Sequence, residues 1–192
     1  MSKIFYLMGK SASGKDTIYK RIMERMPELK NIIIYTTRPI REGERDGVEY
    51  FFIDEDRLQE LQEAGKVIEL RAYNTVHGVW KYFTVDDGQA QSPGDLIAIG
   101  TLESYVQLKS YFGEDKLVPI YIEVDDGLRL ERALSRERQQ KVPKYEELCR
   151  RFLADAADFS EEKLREAGIV RRFANVDMEE CIDEIVKVIE EH

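Results

Sequence analysis

Residues 9–17, GKSASGKDT, place Gly9, Gly14 and Lys15 in the spacing G-x-x-x-x-G-K. The spacing constrains the fold because its chemistry works in one setting only. Glycines let successive backbone N–H groups turn toward one point, and the lysine reaches the outer oxygens of a phosphate chain. The loop must leave a strand and enter a helix, whose N-terminus adds its dipole to the anion site. The flanks comply. KIFYLM at 3–8 is a short apolar run of strand formers, and DTIYKRIMERM sets Ile18, Ile22 and Met26 at helical spacing before Pro27. The expected phosphate-binding residues are therefore Gly9, Ser11, Ser13, Gly14, Lys15, Asp16 and Thr17. Asp16 stands where such loops carry serine or threonine. Its carboxylate suits a magnesium ion, which takes hard oxygen ligands, and Thr17 adds a hydroxyl; the alternative is that Asp16 only caps the helix.

The rest of the chain alternates. NIIIY at 31–35 reads as a buried strand, VEYFFI, DEDRLQELQEAG and KVIELRAY as strand, helix and strand, and VWKYFTV as another strand. DLIAIG, TLESYVQLKSYF and KLVPIYIEV continue as strand, helix, strand. Two charged helical segments follow around Pro143, and IVRRFAN with DMEECIDEIVKVIEEH closes with strand and amphipathic helix. Alternation predicts an α/β fold: a parallel sheet covered by helices on both faces, with ligands beyond the C-terminal strand ends.

Of 192 residues, 43% are hydrophobic and 35% charged, which suits one domain. The 29 basic and 38 acidic residues give a net charge of −9, unsuited to gripping a long nucleic acid, so any phosphate site is a local basic pocket. Cys149, Cys181, His77 and His192 form no ligand spacing. With no cleavable leader pattern and no apolar run long enough to span a bilayer, the expectation is a soluble cytoplasmic protein without a membrane partner. Nothing in the pattern specifies an oligomeric state.

A second basic stretch, YTTRPIREGERDGVEYFF at 35–52, offers Arg38 and Arg41 for planar hydrogen bonds to a phosphate and Tyr50 for one more donor. Its register of Thr36, Thr37, Arg38, Arg41, Gly43, Glu44, Gly47 and Tyr50 resembles the guanylate kinase family, and the resemblance extends from the glycine loop to FANVD. It implies a P-loop nucleoside monophosphate kinase using ATP and Mg2+: a core (1–34, 95–125 and 169–192), an acceptor-binding lobe (about 35–94) and a helical lid (about 126–168). It also implies that Arg38, Arg41, Tyr50, Glu69, His77 and Gly78 bind the acceptor, with Glu69 accepting from guanine, and that Asn175 lies near adenine. Lys15 and Arg38, with lid arginines Arg132, Arg138 and Arg150, are the expected catalytic groups; Arg136 and Arg151 are also available in the lid. Small nucleotides are the expected partners.

The pattern is broken in three places. Ile34 replaces a base-contacting serine, Ala98 and Gly100 replace a D-x-D pair, and His77-Gly78 replaces Y-G. GKDT is also similar to the loop of ribose bisphosphate phosphokinases. GMP is the first-choice acceptor; a kinase for another phosphate monoester, or a non-catalytic binding module of the same fold, remains the alternative.

Overall fold

The computed structural model describes residues 2–75 and 78–192. The chain runs β1 (Ile4–Met8), α1 (Lys15–Arg25), β2 (Lys30–Asn31), β3 (Tyr35–Thr36), β4 (Phe51–Phe52), α2 (Glu55–Glu63), β5 (Val67–Thr75) and β6 (Gly78–Val85). It continues through β7 (Leu96–Gly100), α3 (Leu102–Phe112), β8 (Leu117–Glu123), α4 (Asp126–Arg138), α5 (Tyr145–Asp158), α6 (Glu161–Glu166), β9 (Arg172–Ala174) and α7 (Met178–Glu190).

Five strands form a parallel sheet in the order β2-β7-β1-β8-β9, with β1 at its centre and buried throughout. Side chains alternate across a strand, so β1 feeds two cores. Phe5 and Leu7 join Ile18 and Ile22 of α1 and Ile182 and Ile185 of α7 on one face. Ile4, Tyr6 and Met8 join Leu102 and Tyr105 of α3 with Phe159 and Leu164 on the other. Each fully buried Ile, Leu or Phe contributes about 1.5–3 kcal/mol, so these two layers fix the orientation of the loop after β1.

A second, four-stranded sheet has the order β4-β3-β6-β5, with β3 parallel to β4 and antiparallel to β6. One face packs Phe83 and Val85 against Leu58 and Leu61 of α2, whose N-terminus is capped by Asp54. The other face carries Glu69, Arg71, Tyr82 and Thr84.

NIIIY is not one strand. It splits between β2 of the large sheet and β3 of the small one, and residues 32–34 cross between them. Gln89 stands in for a neighbouring strand there: its Oε1 accepts from Ile33 N at 2.8 Å and its Nε2 donates to Ile33 O at 3.0 Å. Helix α6 and a 3-10 turn at Gln89–Gln91 were not expected from the sequence. Helices α4 and α5 are thinly anchored. The one buried side chain of α4 is Arg129, and α5 has none. No helix among the described residues is long and apolar enough to cross a membrane.

Candidate active site

The loop from Gly9 to Gly14 joins β1 to α1 under tight steric limits. A Cβ at Gly9 would lie 2.8 Å from Ile122 O, and Gly14, with φ +88°, would push one to 2.5 Å from Asn175 Nδ2. Ala12 also has positive φ, at 61°. Asn175 is the keel of the loop. Its side chain donates to Ser13 O at 2.8 Å, its backbone N donates to Glu123 O at 2.9 Å, and Arg132 Nη2 donates to its carbonyl at 3.2 Å. Buried at 1% exposure, the Asn175 amide sits beneath the loop. Asn175 Oδ1 and Ser13 Oγ are sealed without partners, so the loop retains unspent hydrogen-bonding capacity.

Lys15 Nζ lies 3.2 Å from Asp16 Oδ2, and the Asp16 carboxylate is 77% exposed. Gly14 occupies the N-cap of α1 and no side chain caps it, so Asp16 does not act as a cap. Thr17 is exposed on the same first turn.

Across the cleft, Arg38 and Arg41 differ. Arg38 is buried, donating through both Nη atoms to Glu44 at 2.8 and 2.7 Å, and its Nε has no partner. Its guanidinium lies over Tyr50 and Phe52, at 5.1 and 5.3 Å from their ring centroids. The Arg38 charge holds the Glu44 carboxyl down at about 2, and Glu44 also accepts from Arg41 N. Arg41 is exposed and rides 5.6 Å over Trp80. Burial, foremost, raises the pKa of the Tyr50 phenol; the neighbouring Tyr82 and, more weakly, the Asp16 charge act in the same direction. Tyr50 of the basic loop is thus within electrostatic reach of Asp16, the residue that follows the glycine loop.

The helices after β8 close a third side. A cavity of about 120 Å³ between α4 and α5 is lined by Ser11, Arg129, Arg136, Arg151, Phe152 and Asp155, among others. Arg129 anchors it: Nη1 donates to Ser11 O at 2.8 Å, Nε and Nη2 donate to Asp126, and the guanidinium lies 4.7 Å from the Phe152 ring. Asp155 accepts from Ser11 N at 2.9 Å. Of the three lid arginines expected to be catalytic, none lines this cavity. Arg132 turns to Asn175, Arg138 is exposed at the end of α4, and Arg150 donates to Glu147, which lines the cavity and also accepts from Arg151. The arginines of the cavity are Arg129, Arg136 and Arg151. Positions 129, 133 and 136 repeat at helical spacing, a signal available in the sequence once a face is chosen.

The family model described as Guanylate kinase matches residues 1–82. The guanylate kinase of Mycobacterium bovis is 32% identical over 178 residues, covering 88% of this chain and 74% of its own length. The chain belongs to the guanylate kinase family. The guanylate kinase of Thermotoga maritima is 28% identical over 179 residues, covering 92% of this chain and 72% of its own. In fold, the chain is similar to the crystal structure of guanylate kinase from Anaplasma phagocytophilum, with a TM-score of 0.70 at 18% identity, spanning 99% of this chain and 85% of that one.

The residues expected at the base of the acceptor have other partners in this guanylate kinase family member. Glu69, expected to meet the acceptor, has a side chain with 0% exposure. It accepts from Arg71 Nε at 2.9 Å, from Arg71 Nη2 at 3.3 Å and from Thr84 Oγ1 at 2.8 Å. At Gly100 a Cβ would fall 2.0 Å from Tyr6 Oη, so the Tyr6 hydroxyl, bonded to Ser104, fills the place of a side chain. Burial pushes that phenol up to about 12. Ile34 lies on the crossing between the sheets, and its carbonyl accepts from Phe51 N. Gly78 is exposed where β6 begins, paired with Thr75 of β5. His77 lies outside the described residues. Sequence reading missed Arg71, although Glu-Leu-Arg on a strand puts both charges on one face.

Proposed function

We propose that this chain transfers the γ-phosphoryl group of ATP to a nucleoside monophosphate, with GMP as first choice. What supports the reading is the presence of two phosphate-binding motifs, the Gly9–Lys15 loop and the Arg38–Arg41–Tyr50 cluster, in a chain of this family. Magnesium and a cytoplasmic location belong to the same reading.

The loop amides and Lys15 hold the donor phosphates. Arg41 and Tyr50 grip the acceptor phosphate. Arg38, held by Glu44 and lying over the Tyr50 ring, adds its charge from beneath. An acceptor phosphate oxygen attacks the γ-phosphorus while the bond to the ADP oxygen breaks, and no covalent enzyme intermediate forms. Charge grows on the transferring oxygens, and Arg136 and Arg151 on the lid helices are placed to neutralise it as the lid closes over Ser11.

The donor set fits magnesium. The ion commonly keeps waters and takes one or two carboxylates plus substrate phosphates, and Asp16 is an exposed carboxylate beside Lys15 with Thr17 next to it. When bound, magnesium neutralises phosphate charge and orients the oxygens.

A coupled assay of ADP release across nucleoside monophosphates and sugar phosphates tests the proposal. GMP-dependent turnover with GDP as product is expected. The sealed Glu69 favours one alternative, a different phosphate monoester, and turnover with a sugar phosphate but no nucleotide would select it.

A further inference from the structure

Glu69 and Arg71 share the face of β5 opposite the Leu58–Phe83 core, across from Thr84 and Tyr82 of β6. Their pairing takes the Nε and Nη2 side of the guanidinium. Nη1 donates to no described residue and is not among the sealed polar atoms. We propose that Arg71, oriented by Glu69 and Thr84, is the specificity-determining residue that reads the base of the acceptor and selects a purine with an oxygen at position 6. The inference rests on the acceptor reading of the Arg38–Arg41–Tyr50 cluster.

Position supports the assignment. Tyr82 stands directly across the ladder from Arg71, and its ring lies 5.6 Å from Tyr50 and 5.8 Å from Tyr73. Arg71 is thus one ring beyond Tyr50, within the reach of a base whose nucleotide has its phosphate there. The facing wall is Tyr6, hydrogen-bonded to Ser104 over Gly100. Tyr6 is close enough to Arg71 for that charge to oppose the upward shift of its phenol.

Chemistry supplies the selectivity. A guanidinium only donates, and its outer edge offers parallel N–H groups that match O6 and N7 of guanine or hypoxanthine. Adenine presents an amine at position 6, so donor meets donor. Glu69 is already satisfied and residue 100 is a glycine, so neither supplies a free carboxylate to reward the 2-amino group of guanine. Hypoxanthine and guanine are therefore treated alike.

The test is coupled turnover with ATP and GMP, IMP or AMP. Wild type is expected to use GMP and IMP within a few-fold of one another and AMP at least tenfold less well. Arg71→Met alone would leave Glu69 buried and unpaired, so the double variant Arg71→Met/Glu69→Gln is the informative one. It should lose about 10–100-fold in kcat/KM for GMP, through KM, with AMP and the KM for ATP unchanged. A folded double variant with an unchanged GMP-to-AMP ratio would make the pair merely structural while the kinase reading stood. Strong wild-type preference for GMP over IMP would likewise overturn the proposal without any variant. Failure of every nucleoside monophosphate to stimulate ADP release would remove the acceptor reading itself.

Discussion

Asp16 carries its carboxylate into solvent beside Lys15, without a capping role, and the proposed function assigns its charge to the metal. Asp16→Asn keeps the shape and removes the charge, so the activity curve against magnesium concentration should move to higher magnesium while the fold is unaffected. Coincident titration curves for the two proteins would release Asp16 from the metal. Glu44 shows the opposite use of a carboxylate, as an internal brace. Its folded pKa of about 2 lies below the ordinary 4.5, so its pairing with Arg38 stabilises the fold fully above about pH 4.5, and that contribution is lost as pH falls toward 2. The difference in thermal midpoint between wild type and Glu44→Gln should therefore be widest above pH 4.5 and close on acidification. A difference independent of pH would show that the brace works by shape alone.

The glycine loop and the lid helices are linked elements. Gly14→Ala combines a strained φ with a collision on Asn175, whereas Gly88→Ala has the strain, at φ +95°, with nothing within 4 Å. Positive φ costs of order 1–3 kcal/mol, so Gly88→Ala should stay in that range. Gly14→Ala should lose more stability and also weaken ATP binding, as read by denaturant titration and nucleotide affinity. Arg129 ties the loop to both α4 and α5, and Arg129→Met should cost about 3–5 kcal/mol because Asp126 and Asp155 lose a buried partner. A change under 1 kcal/mol would remove Arg129 as the hinge pin. The elements themselves were largely legible in the sequence: apolar runs such as KIFYLM and LIAIG can satisfy their burial only as interior strands. NIIIY was not, because five apolar residues look the same in one strand as in a crossing, and the partner that decides the matter is Gln89, 56 residues away. The lid arginines were legible as a group but not singly, since the face each helix turns inward is set by Arg129 meeting Ser11 and Asp155.

At the scale of the molecule, a parallel sheet presents the loop, a small sheet presents the basic cluster, and a thinly packed helix pair meets the loop at Ser11. The two motifs were readable because phosphate chemistry demands fixed residues at fixed spacing. The pairing of Glu69 with Arg71 was not, because a glutamate looks the same in sequence whether it faces a ligand or an arginine. The proposed activity is ATP-dependent phosphoryl transfer to a nucleoside monophosphate through the Lys15 loop. The most direct test is the rate of GDP formation from GMP and ATP by wild type and by Lys15→Ala. Among the described residues the Lys15 ammonium has Asp16 as its one ion-pair partner, at 3.2 Å, so the variant should fold normally. The account predicts GMP-dependent GDP formation that falls by about 100-fold or more in the variant; equal rates in the two proteins, or no transfer to any nucleoside monophosphate by wild type, would contradict it.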